Sequence, residues 1–148
     1  MQFSKIGFTP KLIICDLDGT LCLFGKENPY DRDFSKDKVN EIILQILAQN
    51  IHAKLIFLSG RNGKYEKETR AWLNKNVGDR HSTLAFYDLF MRKEGDNRED
   101  SIVKLEMFNQ NIRDKYYVEF VIDDRMQILQ VWQSLGLFTI DVGQGQIF

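Results

Sequence analysis

The run 11–16, Lys-Leu-Ile-Ile-Cys-Asp, constrains this chain more than any other. Its apolar residues are continuous rather than alternating, which suits a strand buried on both faces at the centre of a sheet. Asp16-Leu17-Asp18-Gly19-Thr20 closes it. Four fixed identities in that arrangement occur by chance in about one chain in 500 of this size. Gly19 lets the chain leave the strand sharply, and Thr20 can hydrogen-bond the turn.

The remaining apolar runs alternate with segments of helical period, the pattern of βαβ units and a parallel sheet. Strands are expected at 53–59, 84–91, 118–123 and 137–142. Ser35 is the expected N-cap of a helix carrying Val39, Ile42, Ile43, Ile46 and Leu47. Further helices are expected at 64–75, around the stripe Val103, Met107, Phe108 and Ile112, and through Ile128, Leu129, Trp132 and Leu135 to a stop near Gly136. The fold class that follows is α/β, a Rossmann-like three-layer sandwich on a central, mainly parallel five-stranded sheet. Hydrophobic residues make up 43% of 148 and charged residues 28%, which fits one domain over 1–148.

In open α/β sheets ligands bind beyond the carboxyl ends of the strands. Asp16 and Asp18, Ser59 and Arg61, Arg92 and Lys93, and Asp123 and Asp124 all fall there. A carboxylate at a strand end can attack phosphorus, and a second one two residues on can act as general acid and then base. A solvated acidic turn is the plainer account of Asp16 and Asp18, but Asp123-Asp124 repeats the arrangement after a second buried strand. Four carboxylates at one sheet edge would repel unless a hard cation sat among them, and Mg²⁺ is the natural candidate. Ser59 and nearby N–H groups could hold a phosphoryl oxygen, and Lys104 could neutralise the nucleophile and phosphate.

Composition closes several other routes. Lys and Arg total 20 against 21 Asp and Glu, so any affinity for nucleic acid must come from local placement rather than global charge. Cys15 and Cys22 with His52 and His81 make no zinc-site spacing and no disulfide framework. Neither a signal peptide nor a membrane span is readable, so a soluble cytoplasmic protein without membrane partners is expected.

Asp16-x-Asp18-Gly19-Thr20, Ser59, Lys104 and Asp123-Asp124 match, in order, the four motifs of the haloacid dehalogenase superfamily of phosphotransferases, which the chain resembles. Pro29-Tyr30-Asp31, Ser59-Gly60-Arg61, the stretch 91–98, Asp100-Ser-Ile-Val-Lys104 and Ile122-Asp123-Asp124-Arg125 look like the 3′-phosphatase domain of phage-type polynucleotide kinase/phosphatase. The resemblance implies that Asp16 attacks the phosphate, that Asp18 protonates the leaving sugar oxygen and later activates water, and that Ser59, Gly60 and Lys104 bind the phosphoryl group. It implies Mg²⁺ held by Asp16, the Asp18 backbone carbonyl and Asp123, assisted by Asp124, and substrate contacts from Arg61, Arg92, Arg98, Asp100 and Arg125. Where the family has an arginine two residues before Pro-Tyr-Asp, this chain has Glu27 beside Lys26, and Lys26 is the expected substitute.

No kinase phosphate loop, Gly-x-x-x-x-Gly-Lys-Ser/Thr, occurs in the sequence, so a separately encoded kinase or ligase is the expected partner. The 16 residues between Asp18 and Ser35 are too few for a cap domain. An uncapped site suits a polymer end. Basic residues from Lys26 to Arg125 gather in the strand-end loops, and Tyr30, Tyr65 and Phe24 could stack on bases. The leading expectation is a Mg²⁺-dependent polynucleotide 3′-phosphatase of end repair. The alternatives are a phosphatase of nucleotides or sugar phosphates, and a catalytically silent module that binds nucleic-acid ends.

Overall fold

Every strand of the main sheet runs in the same direction, as continuous rather than alternating apolar runs predict. The computed structural model describes residues 9–143. Most of the amino-terminal stretch read above as lacking a leader, and the last five residues, lie outside them. In chain order the elements are β1 (Lys11–Cys15), β2 (Cys22–Leu23), β3 (Lys38–Val39), α1 (Glu41–Gln49), β4 (Lys54–Asn62), α2 (Glu66–Leu73), β5 (Asp88–Arg92), α3 (Asp100–Asn111), β6 (Tyr117–Asp123), α4 (Met126–Ser134) and β7 (Thr139–Asp141). The five-stranded sheet has the order β5-β4-β1-β6-β7 and is parallel throughout. β2 and β3 form a separate antiparallel ribbon.

Alternation along β1 feeds two cores. Ile13 and Cys15 pack with Ile43, Leu44 and Leu47 of α1 and Trp72 and Leu73 of α2. Leu12 and Ile14 pack with Val103, Met107 and Phe108 of α3 and Ile128 and Trp132 of α4. Each fully buried aliphatic side chain contributes about 1.5–3 kcal/mol, and β1, covered on both faces, is the rigid centre of the molecule. From β1 the chain winds outward to β4 and β5, then crosses to β6 and β7 on the other side. Strand order therefore reverses between β1 and β6, where a crevice must open at the carboxyl edge.

Three expectations are corrected. Ser35 caps nothing: its N–H and hydroxyl both go to Asp33 in a short 3-10 turn, and α1 begins after Asn40. The aspartate captures that turn locally, and Val39 joins the ribbon instead. The third strand starts at Asp88 rather than 84, because Ser82–Leu84 winds into a 3-10 turn that buries Leu84. The second strand does not stop at Ser59. Its pairing with β5 steps from Ser59↔Met91 to Asn62↔Arg92, three residues on β4 against one on β5. Such a bulge turns side chains off the regular alternation, and here it delivers Arg61 to the carboxyl edge.

Candidate active site at the carboxyl edge of the sheet

Asp16 leaves β1 with its N–H still on the Ile122 carbonyl (3.0 Å), and Asp123 ends the neighbouring strand β6. Gly19, at φ 84°, makes the turn that a side chain would strain. The turn sets the fully buried Thr20 hydroxyl against Asp16 Oδ2 (3.0 Å) and Asp124 Oδ1 (3.2 Å). One carboxylate oxygen from each of Asp16, Asp123 and Asp124 lies within 4.8 Å of the others. Into this group α3 inserts Lys104, whose Nζ donates to Asp16 Oδ1 (2.7 Å) and Asp123 Oδ2 (3.0 Å).

Three carboxylates against one ammonium leave the cluster with excess negative charge out of water. Burial, and then Asp123, push the Asp16 carboxyl well above its usual range, and Lys104 only partly opposes them. Burial likewise raises Asp124. For Lys104 burial works the other way, but Asp123 and then Asp16 outweigh it and hold the ammonium charged. An all-oxygen donor set with unbalanced charge has the chemistry of a hard divalent cation site.

Asp18 belongs to a different arrangement. Its Oδ1 accepts from Arg61 Nη2 and Arg32 Nη2, both at 2.6 Å, and its Oδ2 accepts from Arg61 Nε at 3.3 Å. Burial alone would raise Asp18, but Arg61 and then Arg32 more than offset it and hold the carboxyl below its usual range. Arg61 also donates to the Thr69 hydroxyl of α2 (2.9 Å). Arg32 grips Asp37 through Nε (2.8 Å) and Nη2 (2.6 Å). Burial raises Asp37 against the pull of Arg32, yet the two-point contact is that of a charged pair, and the same contacts raise Arg32 against its own burial.

A third group closes the rim. Asp100 stands one turn before Lys104 on α3, the spacing that puts both on one face, and it accepts from Arg92 and Arg125. A Cβ on Gly60 would sit 2.5 Å from Asp100 Oδ1, so a side chain there would displace the Asp100 carboxylate from its arginines. Arg92 also donates to the carbonyls of Gly60 (2.8 Å), Asp96 (3.1 Å) and Arg98 (2.6 Å), tying the loop after β5 to β4. Arg98 folds back on Asp96 and Glu106.

A cavity of about 720 Å³ opens at this edge, lined among others by Asp16, Asp18, Gly60, Arg61, Arg92, Arg98, Asp100, Lys104 and Arg125. Asp123 ends β6 and Asp124 follows it, as expected, whereas Ser59 lies inside β4; none of the three is among the lining residues, and the Ser59 hydroxyl accepts the Arg61 N–H (3.0 Å). Lys26 is the exception, exposed and not among the lining residues. The lining holds five acids and five bases, Glu99 and Asp96 included. Each of these five bases stands in an ion pair with one of the lining acids. Of the aromatics, Phe24 is buried beneath Arg32 and Tyr65 packs edge-on to Phe34, whereas Tyr30 is exposed at the cavity. Sequence reading counts Arg32 only among the basic residues of the strand-end loops and assigns Asp37 no site role. No spacing rule marks them, and the one local sign is an arginine placed among Phe24, Phe34 and two acids.

Residues 10–147 match the family model described as the polynucleotide kinase PNKP phosphatase domain. The chain is 35% identical over 136 residues to a protein of Autographa californica nuclear polyhedrosis virus named "Putative bifunctional polynucleotide kinase/RNA ligase", covering 88% of this chain and 19% of that one. Two solved structures of the Pnkp1/Rnl/Hen1 complex, one described as an RNA repair complex, each contain a chain 37% identical, with a TM-score of 0.80 over 90% of this chain. This chain spans 42% and 46% of those chains and about a fifth of the viral relative. With the fold, the ordered acidic strand ends and this match over nearly its whole length, the chain belongs to the PNKP phosphatase-domain family of the haloacid dehalogenase superfamily.

Proposed function

We propose that the chain is a Mg²⁺-dependent phosphatase that removes terminal 3′-phosphates from DNA or RNA through an aspartyl-phosphate on Asp16. The observation that carries this reading is the division of labour between two acids two residues apart. Asp16 sits in a crowded acidic cluster against Lys104, and Asp18 is held at the same cavity by two arginines. In the first half-reaction Asp16 Oδ forms a bond to phosphorus, the bond from phosphorus to O3′ breaks, and O3′ takes a proton from Asp18. In the second, a water gives its proton to Asp18 as its oxygen bonds phosphorus, and the Asp16 carboxylate leaves. The arginines favour the ionised Asp18 of the second half, and an incoming phosphate adds negative charge that favours its protonated form in the first.

Asp16, Asp123 and Asp124 fit Mg²⁺ by donor type and charge, with the Asp18 carbonyl as the further ligand expected from the family. When bound, the ion supplies positive charge against the phosphoryl oxygens and lifts the repulsion among the carboxylates. Lys104 holds Asp16 in place and presents an ammonium to the phosphate, and Gly60 with Ser59 lines the β4 side. Arg92, Arg98, Asp100 and Arg125 form the rim that would receive the strand. Only the two-residue strands β2 and β3 and a 3-10 turn lie between Asp18 and α1, which leaves the edge accessible to a polymer end.

The viral relative's name and the repair complex favour work alongside a kinase or ligase. We take the chain as a single domain over 1–148 acting in the cytoplasm. Among the described residues no helix is long and apolar enough to cross a membrane.

The test is phosphate release with Mg²⁺ from a 3′-phosphorylated oligonucleotide, compared with a 3′-mononucleotide at varied salt. Preference for the oligonucleotide at low salt, abolished by Asp16→Ala, is expected. Equal turnover of the two substrates supports the small-molecule reading instead. Binding without turnover supports the silent module.

A further inference from the structure

Asp18, Arg61, Arg32 and Asp37 form a continuous chain of four charged side chains, and the Arg32 side chain is the least exposed of these at 1%. The Arg32 guanidinium packs on the rings of Phe24 (4.1 Å) and Phe34 (4.5 Å). It donates to the Pro29 carbonyl (2.8 Å) as well as to both acids. Asp37 in turn is fixed from behind, its carbonyl accepting the Trp72 indole N–H of α2 (3.0 Å). The Arg32 Nε, Nη1 and Nη2 groups all have acceptors and its guanidinium carbon packs on two rings, so the side chain is held at several points.

We infer that Arg32, anchored by Asp37, is the positioning residue that orients Asp18 for proton transfer; this rests on the reading of Asp18 as acid and base given above. Both guanidinium groups converge on Asp18 Oδ1 at 2.6 Å, whereas Oδ2 receives only the longer N–H of Arg61. Oδ1 is the anchoring oxygen and Oδ2 the one left to exchange protons. Arg32 also protects the Arg61 contact. Arg61 Nη2 lies 3.6 Å from Asp37 Oδ2, so without Arg32 the buried Asp37 carboxylate would draw Arg61 away from Asp18. The segment between β1 and α1 is too short to cap the site, and it reaches beneath it instead.

The dependence on leaving group tests the inference. A p-nitrophenolate leaves without a proton, whereas a sugar hydroxyl needs one. First-turnover formation of p-nitrophenolate from p-nitrophenyl phosphate, and of the 3′-hydroxyl oligonucleotide from its 3′-phosphate, is measured with Mg²⁺ in the wild type, Arg32→Gln and Arg32→Lys. The oligonucleotide rate is expected to fall about 10- to 100-fold in Arg32→Gln, and the p-nitrophenyl rate less than about threefold. Arg32→Lys keeps the charge but cannot bridge both acids, and it should fall between. Far-ultraviolet circular dichroism checks the fold, and if Arg32→Gln does not fold, Arg32→Lys carries the test. An equal fall for both esters, or no fall for either, overturns the inference. A wild type that turns over neither ester overturns the functional reading itself, a result distinct from both.

Discussion

Two clusters of buried charge stand side by side at the carboxyl edge of the sheet, and they are built on opposite principles. Around Asp16, three carboxylates share one ammonium, and burial drives Asp16 and Asp124 upward. Around Asp18, two carboxylates meet two guanidiniums with two-point contacts, and Asp18 is driven downward. The first cluster carries unbalanced negative charge, and the second is balanced in itself. Unbalanced charge in a low dielectric is unfavourable unless a ligand supplies the missing sign, so the first is a place to bind and the second a place to hold still. The contrast matches the roles proposed for the two acids, since a nucleophile needs its partner brought to it and a proton carrier needs a fixed direction.

If the second cluster is self-neutral, removing one acid from it must strand a buried positive charge. Asp37→Asn should lower the free energy of unfolding by about 3 kcal/mol, read from urea denaturation with and without Mg²⁺. An unchanged midpoint would mean that Arg32 is satisfied without Asp37. In the first cluster the same chemical change should have the opposite sign. Asp124→Asn removes a carboxylate whose charge the fold disfavours, so its thermal midpoint in chelator should exceed that of the wild type. Its gain in midpoint on adding Mg²⁺ should shrink, because an ion that binds only the folded state stabilises by its affinity. A lower midpoint in chelator would break the contrast.

A smaller effect comes from a third place, the exposed loop after β5. Asp96 is held at about 2, chiefly by the Arg98 side chain and then its N–H. A carboxyl lowered in the folded state binds its proton more readily when unfolded. The contribution of the pair is therefore present above the usual carboxylate range near 4 and is lost as pH falls toward 2. Between pH 6 and 4 the Asp96–Arg98 contact should persist in a carboxyl titration followed by nuclear magnetic resonance, and Asp96→Asn should change stability little.

Legibility followed chain distance. The buried strand 11–16, the acids that follow it, the Lys104 helix stripe and Asp123-Asp124 all announce themselves, because burial periodicity and turn chemistry act over a few residues. Ser35 misled because it has the residue type of a cap, but Asp33 is nearer and a better acceptor. The strand through Gly60 and Arg61 was missed because a bulge depends on its partner: only the step in pairing with Met91 and Arg92 reveals it. The basic residues of the strand-end loops are legible as composition, but their partners are not: Arg61 meets Asp18 across 43 positions and Arg125 meets Asp100 across 25.

The sequence by itself determined the parallel α/β sheet, the order of acidic strand ends and the identities of Asp16, Asp18, Lys104 and Asp123. These follow from local hydrophobicity and from which side chains can carry charge. Only the tertiary structure decided which acid meets which base. Lys104 reaches Asp16 across 88 positions, Arg61 reaches Asp18 across 43 and Arg32 reaches it across 14. Ion pairing is decided by distance in space and by access to water, and neither is a property of neighbours along the chain.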